Sequence, residues 1–363
     1  MASGRSIVAV ATAFLALAFV RFEQVQAGQT SPGYKVLAPL REGNLSVFPV
    51  VAANSHNTEA FLTLDEGVRS GEVIVTESGS IRPLIRRRPS VPPLYPDGAA
   101  QVNQLVLVNH SKRPLLLLAG EIVTGGKQDR IIAKDRLVPA ESDPIDLGVF
   151  CVEPGRWVGA TAEFGAMSAA LAAPSVRARA MADKDQQKVW AELRRSQSAV
   201  IAAMPPAAAD TVAIEGTTSY ARVMDNQAVR KHVDSIAAPI ESSYRGLMKQ
   251  WRDTNAVGVV VAVNGEFIWA DIFASTGLFQ KYWPKLVRSY AAEAMVSPRD
   301  GHNPGQKAAQ AFLDNLQGRH EVAETEPSLY CHTEISGDGF KVFKLTSLVP
   351  KTGFDVHIAK MAE

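Results

Sequence analysis

The stretch from Gly120 to Trp157 carries three dense polar clusters, and a short apolar run leads into each of them. The clusters are Gly120-Glu121, the run from Gly125 to Arg130, and the run from Cys151 to Trp157. Short apolar runs bounded by turn residues predict buried strands. The sequence therefore predicts a rigid sheet that presents these polar groups at its edge.

The strongest local prediction is a β-hairpin immediately before this stretch. The run from Gln104 to Asn109 reads as a strand, the run from His110 to Arg113 as a polar turn, and the run from Pro114 to Ala119 as the return strand. Loops of four residues are common in hairpins. Four consecutive leucines indicate burial on both faces, so Gly120-Glu121 is expected at the end of a buried strand.

Apolar periodicity predicts the other elements. We expect strands at Leu45–Val51, Val73–Glu77, Arg130–Val138, Ile145–Val152, Val257–Asn264, Glu266–Ile272, Phe340–Leu345 and Gly353–Ile358, the last of them half exposed. We expect helix at Thr63–Arg69, through Ala160–Ala203, at Ala221–Trp251 with a kink or break at Pro239, and at Leu278–Met295 and Pro304–Leu316. Thr63 and Glu66 have capping-box spacing, and Asn264-Gly265 is a hairpin turn signal.

This grouping of elements favours an α+β fold rather than a regular alternation of strand and helix. The expected architecture is a β-rich N-terminal part, a helical middle and a mixed α/β C-terminal part. We place a β-rich lobe at 28–158, a helical segment at 159–255 and an α+β lobe at 256–363, although 28–363 also fits one composite domain.

Charge argues against some classes of partner. The 363 residues carry a net charge of +1, which gives no electrostatic case for binding nucleic acid or a wide anionic membrane. The basic run Arg86 to Arg88 lies in a proline-rich segment and reads as a solvated loop. A hydrophobic content of 46% is ample for a large core.

The N-terminus has the order of a secretory signal peptide. Arg5 precedes an uncharged apolar run from Ile7 to Val20, and small residues end at Ala27. We expect residues 1–27 to be removed after Ala27, and the mature chain to be periplasmic or extracellular without a transmembrane span. A retained N-terminal anchor is the alternative. Export makes a Cys151–Cys331 disulfide possible, since disulfides persist outside the cytosol, and two free thiols are the other reading.

One ordered series of residues runs through most of the chain. It consists of Leu64-Asp65-Glu66, Gly71, Glu77, Asn109, Gly120-Glu121, Gly125-Gly126-Lys127-Gln128-Asp129-Arg130, Cys151-Val152-Glu153, Arg156-Trp157, Trp190, Gly258, Asn264-Gly265, Asp271, Phe273, Trp283 and Tyr290. This series resembles a known family, the "ARG and Rhodanese-Phosphatase-superfamily-associated protein" domain. The resemblance covers about residues 36–295, and the tail after Thr333 aligns only loosely. Asp129 stands where this family pattern leads us to expect Asn. The resemblance implies a link to ADP-ribose or phosphate-ester chemistry and implies no particular reaction.

The residue types within the clusters indicate a pocket for a phosphate-bearing, ring-bearing small molecule. Gly125-Gly126 allows close approach of the backbone to a ligand, and Gln128 lies in the same loop. Lys127, Arg130 and Arg156 are candidate anion ligands, and Trp157 is a candidate stacking surface.

Catalysis at these clusters requires an acid and a base that converge. Glu121 and Glu153 are the candidates, with Asp129 beside them. Cys151 as a nucleophile requires a base, for which His332 and His357 are candidates. The seven His are scattered, so the sequence predicts no metal site, and it identifies no cofactor.

Each of these residues also has a purely structural interpretation. Gly-Gly pairs usually form turns, and a tryptophan such as Trp157 is more often a core residue. Glu121 with Arg130 or Arg156 is also typical of a buried ion pair that braces strand ends. Three functions therefore remain open: a hydrolase or transferase, a binding module without activity, and an envelope structural protein.

Overall fold

A computed structural model describes residues 33–78, 102–204, 209–250, 254–297, 303–349 and 353–363. The predicted signal peptide and the arginine run lie outside these residues. The described chain is an α+β fold with the predicted order of strand-rich, helical and mixed parts. The division into lobes stays a prediction.

One large antiparallel sheet joins strands from both ends of the described chain. Its order is β1-β3-β13-β14-β18-β17-β16-β15, with β2 also paired to β3. These strands are β1 (Tyr34–Val36), β2 (Leu40–Glu42), β3 (Leu45–Ala52), β13 (Asn255–Val263), β14 (Glu266–Phe273), β15 (His320–Glu326), β16 (Tyr330–Gly337), β17 (Phe340–Ser347) and β18 (Asp355–Ala362). The Asn264-Gly265 turn between β13 and β14 has positive φ at both residues, which confirms the predicted hairpin.

A second sheet of six strands closes into a small barrel. Its order is β12-β8-β9-β11-β6-β5, and a bridge between Thr76 and Glu163 joins the ends of the two outer strands. The strands are β5 (Val73–Glu77), β6 (Gln104–Asn109), β8 (Glu121–Gly125), β9 (Arg130–Ile132), β11 (Ile145–Cys151) and β12 (Phe164–Leu171). Alternate side chains of these strands fill the interior with Val, Leu, Ile and Phe, as expected for a small closed barrel.

The predicted hairpin between residues 104 and 119 is wrong, although both strands exist. A separate three-stranded sheet, in the order β10-β7-β4, is formed by β4 (Leu62–Thr63), β7 (Leu115–Leu117) and β10 (Arg136–Val138), so β6 and β7 never pair. The Asn109 side chain donates to the carbonyls of Arg113 and Pro139, which shapes the turn and redirects the chain. The leucines of β7 are fully buried, as predicted.

The helix Thr276–Val296 packs between the two main sheets, whereas the helix Gln306–Asp314 covers the opposite face of the large sheet. The helices are α1 (Leu64–Ser70), α2 (Pro174–Ala178), α3 (Gln186–Ala203), α4 (Ala209–Glu215), α5 (Tyr220–Asp225), α6 (Gln227–Gln250), α7 (Thr276–Val296) and α8 (Gln306–Asp314), with a π-helix at Arg179–Asp183. The predicted capping box of α1 is present between Thr63 and Glu66. Helix α6 runs through Pro239 without ending there.

Three further predictions need correction. The run Phe164–Leu171 is strand rather than helix, because pairing with β8 outweighs its helical composition. The predicted strand Arg130–Val138 is two strands, split where Asp135 turns into the core. The C-terminal strand is buried on both faces rather than half exposed, because its charged positions, including His357 and Lys360, have buried partners.

Candidate functional site

The sequence clusters at Gly125–Arg130 and Cys151–Trp157 meet at one rim of the barrel. Strand side chains alternate between the two faces of a sheet. Glu77, Arg130 and Cys151 therefore point to the same side as the interior residues two positions before or after them, Val75, Ile132 and Val149. The rim thus places a carboxylate, a guanidinium and a thiol at the end of an apolar barrel.

The Gly125-Gly126 turn forms one edge of this rim. Both glycines have positive φ, +128° and +48°. A Cβ on Gly126 would lie 2.2 Å from the Phe164 ring and 2.7 Å from Glu77 Oε1. The turn leaves the Lys127 N–H free to donate to Glu77 Oε1 at 2.8 Å. Glycine is therefore required here to bring the loop against the barrel end.

Arg130 is fully buried, yet its guanidinium is only partly satisfied. Nη1 donates to the Gln128 carbonyl at 2.7 Å, and Nη2 lies 4.0 Å from Glu77 Oε1. Nε and Nη2 have no hydrogen-bond partner, and neither do the nearby Glu77 Oε2 and Gln128 Oε1. Burial lowers the pKa of Arg130, but arginine stays charged in proteins. An unsatisfied buried guanidinium is costly, and an anion at this position would supply the missing acceptor.

Trp157 lies over these cations at the surface. Its side chain is 43% exposed. Lys127 Nζ is 5.0 Å and Arg130 Cζ is 6.0 Å from the ring centroid, within the range of cation–π attraction. The rim therefore combines two cations with an accessible aromatic surface, and Trp157 is not a core residue.

Glu153 and Arg156 form a closed ionic group beside the rim. Arg156 Nη2 lies 2.6 Å from Glu153 Oε2 and 3.5 Å from Asp129 Oδ1, and its Nη1 donates to the Gly126 carbonyl. The Asp129 N–H donates to Glu153 Oε2 and the Ser219 hydroxyl donates to Asp129 Oδ2. Gln128 Nε2 donates to the Glu153 carbonyl. These contacts hold the loop, and they occupy the Arg156 fork that the sequence offered as a second anion ligand.

The two carboxylates of this group have opposite pKa shifts. Burial raises the pKa of Glu153, but the hydrogen bonds from Arg156 and Asp129 N–H outweigh it, so the net shift is downward. Burial dominates at Asp129 and raises its pKa, against the hydrogen bond from Ser219. Glu153 is therefore ionised at neutral pH and has no proton to give as a general acid.

Glu121 does not meet Glu153. It begins β8, whereas the rim lies at the other end of that strand, about 13 Å away for four residues. Its Oε1 lies 2.5 Å from Lys285 Nζ, which also contacts Asp65 at 2.7 Å, and its Oε2 accepts from the Leu118 N–H. The structure thus separates the two carboxylates proposed as an acid/base pair. Glu121 instead belongs to a buried ion pair, with Lys285 as the partner rather than Arg130 or Arg156.

Both cysteines are free thiols in the structure. Cys151 is buried at the rim, and Cys331 lies in β16 of the large sheet and is partly exposed. Burial raises the pKa of Cys151. The hydrogen bond from the Glu153 N–H and the charge of Arg130 both act to lower this pKa, but burial outweighs them. His357 contacts Asp135 and Asp271, and His332 lies against the Phe343 ring, so neither imidazole is a partner of this thiol.

The sequence did not predict a second buried network, although two of its members, Asp271 and Tyr290, belong to the residues that carry the family resemblance. His357 lies 2.5 Å from Asp135 and 3.2 Å from Asp271, and Arg177 pairs with both oxygens of Asp271 at 2.9 and 3.0 Å. Tyr290 donates to Asp271 Oδ2. All five side chains are fully buried. A Cβ added to Gly120 would lie only 2.6 Å from Cγ of Arg177, which explains why a glycine occupies this position.

No helix in the described ranges has the length and hydropathy to cross a membrane. Among the same residues, no group of three or more His, Cys, Asp or Glu side chains is arranged to hold a metal ion.

The fold and the rim define an α+β protein built on a closed barrel with a cationic, aromatic edge. The chain belongs to the family of the ARG and Rhodanese-Phosphatase-superfamily-associated Protein domain, whose profile matches residues 33–359. The resemblance read from the sequence is confirmed and extends through the tail. The function of this domain is unknown, and its name records an association with ARG and rhodanese–phosphatase systems. No curated protein and no solved structure is similar enough to register as a match.

Proposed function

We propose that this chain binds a small molecule that carries a phosphate and a ring, at the barrel rim formed by Glu77, the Gly125–Arg130 loop and Trp157. The observation that carries the proposal is the buried Arg130, whose Nε and Nη2 have no acceptor. A phosphate oxygen accepts strong charge-assisted hydrogen bonds from arginine. The desolvated surroundings make such a bond more favourable than it would be at the surface.

The neighbouring side chains suit the rest of such a ligand. Lys127 Nζ makes no ion pair with a described residue and lies beside the exposed Trp157 ring. Lys127 therefore adds a second positive charge, and Trp157 offers a face for a base or sugar ring. ADP-ribose is the first candidate, because the resemblance implies a link to ADP-ribose chemistry.

Binding is favoured over catalysis. Glu121 is held by Lys285 in a separate network, and Glu153 is ionised against Arg156. Neither carboxylate is free to move a proton at the rim, and the pKa of the Cys151 thiol is raised rather than lowered.

We also propose that the chain acts after export, with residues 1–27 removed, in the periplasm or outside the cell. The apolar run Ile7–Val20 and the small residues before Gly28 support this. Mass spectrometry of the protein purified from its native host should give an N-terminus at Gly28. An intact Met1 on a cytosolic protein would contradict export.

A structural role in the cell envelope is the second candidate. The observation that favours it is the closed group of Glu153, Arg156, Asp129 and Ser219. In this group Arg156 pairs with both carboxylates, and the Ser219 hydroxyl donates to Asp129. In this case the rim only braces the loop, and waters satisfy Arg130.

A thermal-shift screen of residues 28–363 tests the proposal. The panel contains ADP-ribose, NAD, nucleotides, sugar phosphates and inorganic phosphate. A ligand that binds only the folded state stabilises it by about 2.7 kcal/mol at 100 times its Kd. We expect a shift with at least one phosphate-bearing ligand.

Variants of partly exposed residues locate the ligand without removing the buried Arg130 side chain. Lys127→Gln and Trp157→Ala change partly exposed side chains and should reduce the shift. Lys112→Gln is the matched control, since Lys112 lies in the turn after β6, at the opposite end from the rim. If the ligand raises the melting temperature of both rim variants as much as that of the native chain, it binds elsewhere. No shift with any ligand, together with a strongly destabilised Arg130→Ala, would favour the structural role.

A further inference from the structure

A cavity of about 250 Å³ lies between α3 and α5, outside the barrel rim. Its apolar lining includes Leu193, Tyr220 and Val223, each at least nine-tenths buried. The volume is slightly below the roughly 300–1,000 Å³ typical of pockets for drug-sized ligands. A cavity of this size with an apolar floor suits a small ligand.

Three hydrogen-bonding groups in the lining of this cavity have no partner among the described residues. The Ser196 side chain is 6% exposed, and its hydroxyl makes no hydrogen bond. The hydroxyl of Thr218 and the exposed guanidinium of Arg194 are likewise unpaired. Ligand pockets typically combine an apolar lining with a few such polar groups that orient the ligand.

The wall of the cavity is held in place by the helices around it. Gln197 Nε2 donates to the carbonyls of Ile214 at 2.6 Å and Thr217 at 2.8 Å, which ties α3 to the end of α4 and to the segment that follows it. The Tyr220 hydroxyl accepts from the Ala173 N–H at 3.0 Å. The backbone that carries Ser196 and Thr218 is thus held in place, which lowers the cost of ordering these two groups when a ligand binds.

Charge decides which ligand fits. Arg194 is the charged side chain in the lining of the cavity, and no carboxylate lines it. The nearest acid on the same helix, Glu192, pairs with Arg195 at 2.5 Å and with Arg179 at 3.7 Å. Arg194 would repel a cationic ligand, whereas an anionic head group would find an unpaired arginine and two hydroxyl donors.

We infer that this cavity is a binding site for a small organic acid, whose apolar body packs on Leu193, Tyr220 and Val223 and whose carboxylate is bound by Arg194. Ser196 and Thr218 donate to the same head group. The site goes beyond the proposed phosphate site and uses none of its ligand-binding side chains. The two sites are neighbours along the backbone, since Pro154 follows Glu153 and Thr218 precedes Ser219.

Isothermal titration calorimetry of residues 28–363 tests this inference with benzoate and hexanoate as probes. Benzyl alcohol and hexanol are the neutral counterparts. We expect both acids to bind, and Arg194→Gln to weaken them about tenfold, the loss expected for one hydrogen bond to a charged group. The same variant should leave the two alcohols unchanged, because only the head-group contact is removed.

Three further variants test whether the acids bind in this cavity. Ser196→Leu places a larger apolar side chain in the cavity and should abolish binding of acids and alcohols alike. Arg245→Gln removes another exposed helical arginine, on α6, and should change nothing. Trp157→Ala, at the phosphate site, should also leave binding of the acids unchanged.

Three outcomes would overturn the inference. They are absence of binding of both acids at millimolar concentration, equal binding by the native chain and Arg194→Gln, and binding that persists in Ser196→Leu. A result in which only Trp157→Ala weakens benzoate would assign that acid to the barrel rim instead.

Discussion

His357 and Asp135 lie 222 positions apart in the chain, and their side chains meet at 2.5 Å between Nδ1 and Oδ2. The other imidazole nitrogen, Nε2, faces Asp271 at 3.2 Å, so one ring connects two buried carboxylates. Since Asp271 also binds Arg177, two acids and two bases balance in a fully buried group. The network ties β18 to β14 and to the segment between β9 and β10.

This arrangement predicts a pH-dependent stability. Burial lowers the pKa of His357, but Asp135 and Asp271 outweigh it and raise the pKa to about 9, from an ordinary value of 6.5. The folded chain therefore holds a proton that the unfolded chain releases between pH 6.5 and 9. Stability from this group is complete below pH 6.5 and is lost as pH rises through 9, by about 3 kcal/mol in all.

The test compares urea unfolding from pH 6 to pH 10 for the native chain and for His357→Gln. The native chain should lose more stability over this range than the variant, because the variant lacks the titrating ring. His320→Gln, at an exposed histidine, is the control and should follow the native chain. Parallel curves for the native chain and His357→Gln would contradict the raised pKa.

Glu121→Gln should destabilise the fold while leaving the ligand site intact. The change removes the charge that lies 2.5 Å from the buried Lys285, and breaking a buried ion pair costs about 3 kcal/mol or more. Chemical denaturation should show this loss, and Glu59→Gln, at an exposed acid, should not. Any ligand found in the thermal-shift screen should keep its Kd. A large change in Kd with unchanged stability would instead return Glu121 to the site.

Local patterns predicted the elements well but not the partners of the strands. Thr63 and Glu66 form the expected capping box, and Val73–Glu77 and Gln104–Asn109 are strands with the predicted bounds. These features depend on neighbours within a few residues. The pairing of β6 with β5 and β11 depends on residues more than 25 positions away, and no local pattern reports it.

For the candidate site, too, the sequence predicted some of the residues correctly and misplaced one. Gly126, Lys127, Arg130 and Trp157 do gather at one rim, because their strands end on the same side of a closed sheet. Glu121 lies in the same sequence cluster, but at the opposite end of β8. Spacing along a chain cannot show which end of a strand faces a site.

His357 shows why the second network was not predicted. In the sequence it alternates with apolar residues and reads as the exposed face of a strand. Its partner Asp135 comes from a distant segment. An ionisable side chain becomes a core residue only when such a partner is available.

The two thiols should differ in reactivity. Cys151 is fully buried and burial raises its pKa, so little reactive thiolate forms. Cys331 is partly exposed. Under native conditions, mass spectrometry after treatment with iodoacetamide should show one added group, on Cys331, and two after unfolding in urea. No label after unfolding without reductant would reveal a disulfide.

Gly126→Ala should be more damaging than the same change at Gly43. Both glycines have similar positive φ, +48° and +56°, so the backbone penalty, roughly 1–2 kcal/mol, is common to both. Only at Gly126 does an added Cβ meet neighbours, 2.2 Å from Phe164 and 2.7 Å from Glu77 Oε1, whereas nothing lies within 4 Å at Gly43. Overpacking of this kind typically adds about 1–3 kcal/mol.

The difference between the two alanine variants therefore isolates the close approach of the loop to the barrel end. In urea unfolding, the free energy of unfolding of Gly126→Ala should be lower than that of Gly43→Ala by about 1–3 kcal/mol. Because relief of the clash must displace Glu77 or Phe164, Gly126→Ala should also weaken any ligand bound by Arg130, and Gly43→Ala should not. Equal stabilities for the two variants would mean that the loop can move away from the barrel without cost, and the rim would then be too loose to present Arg130 to a phosphate.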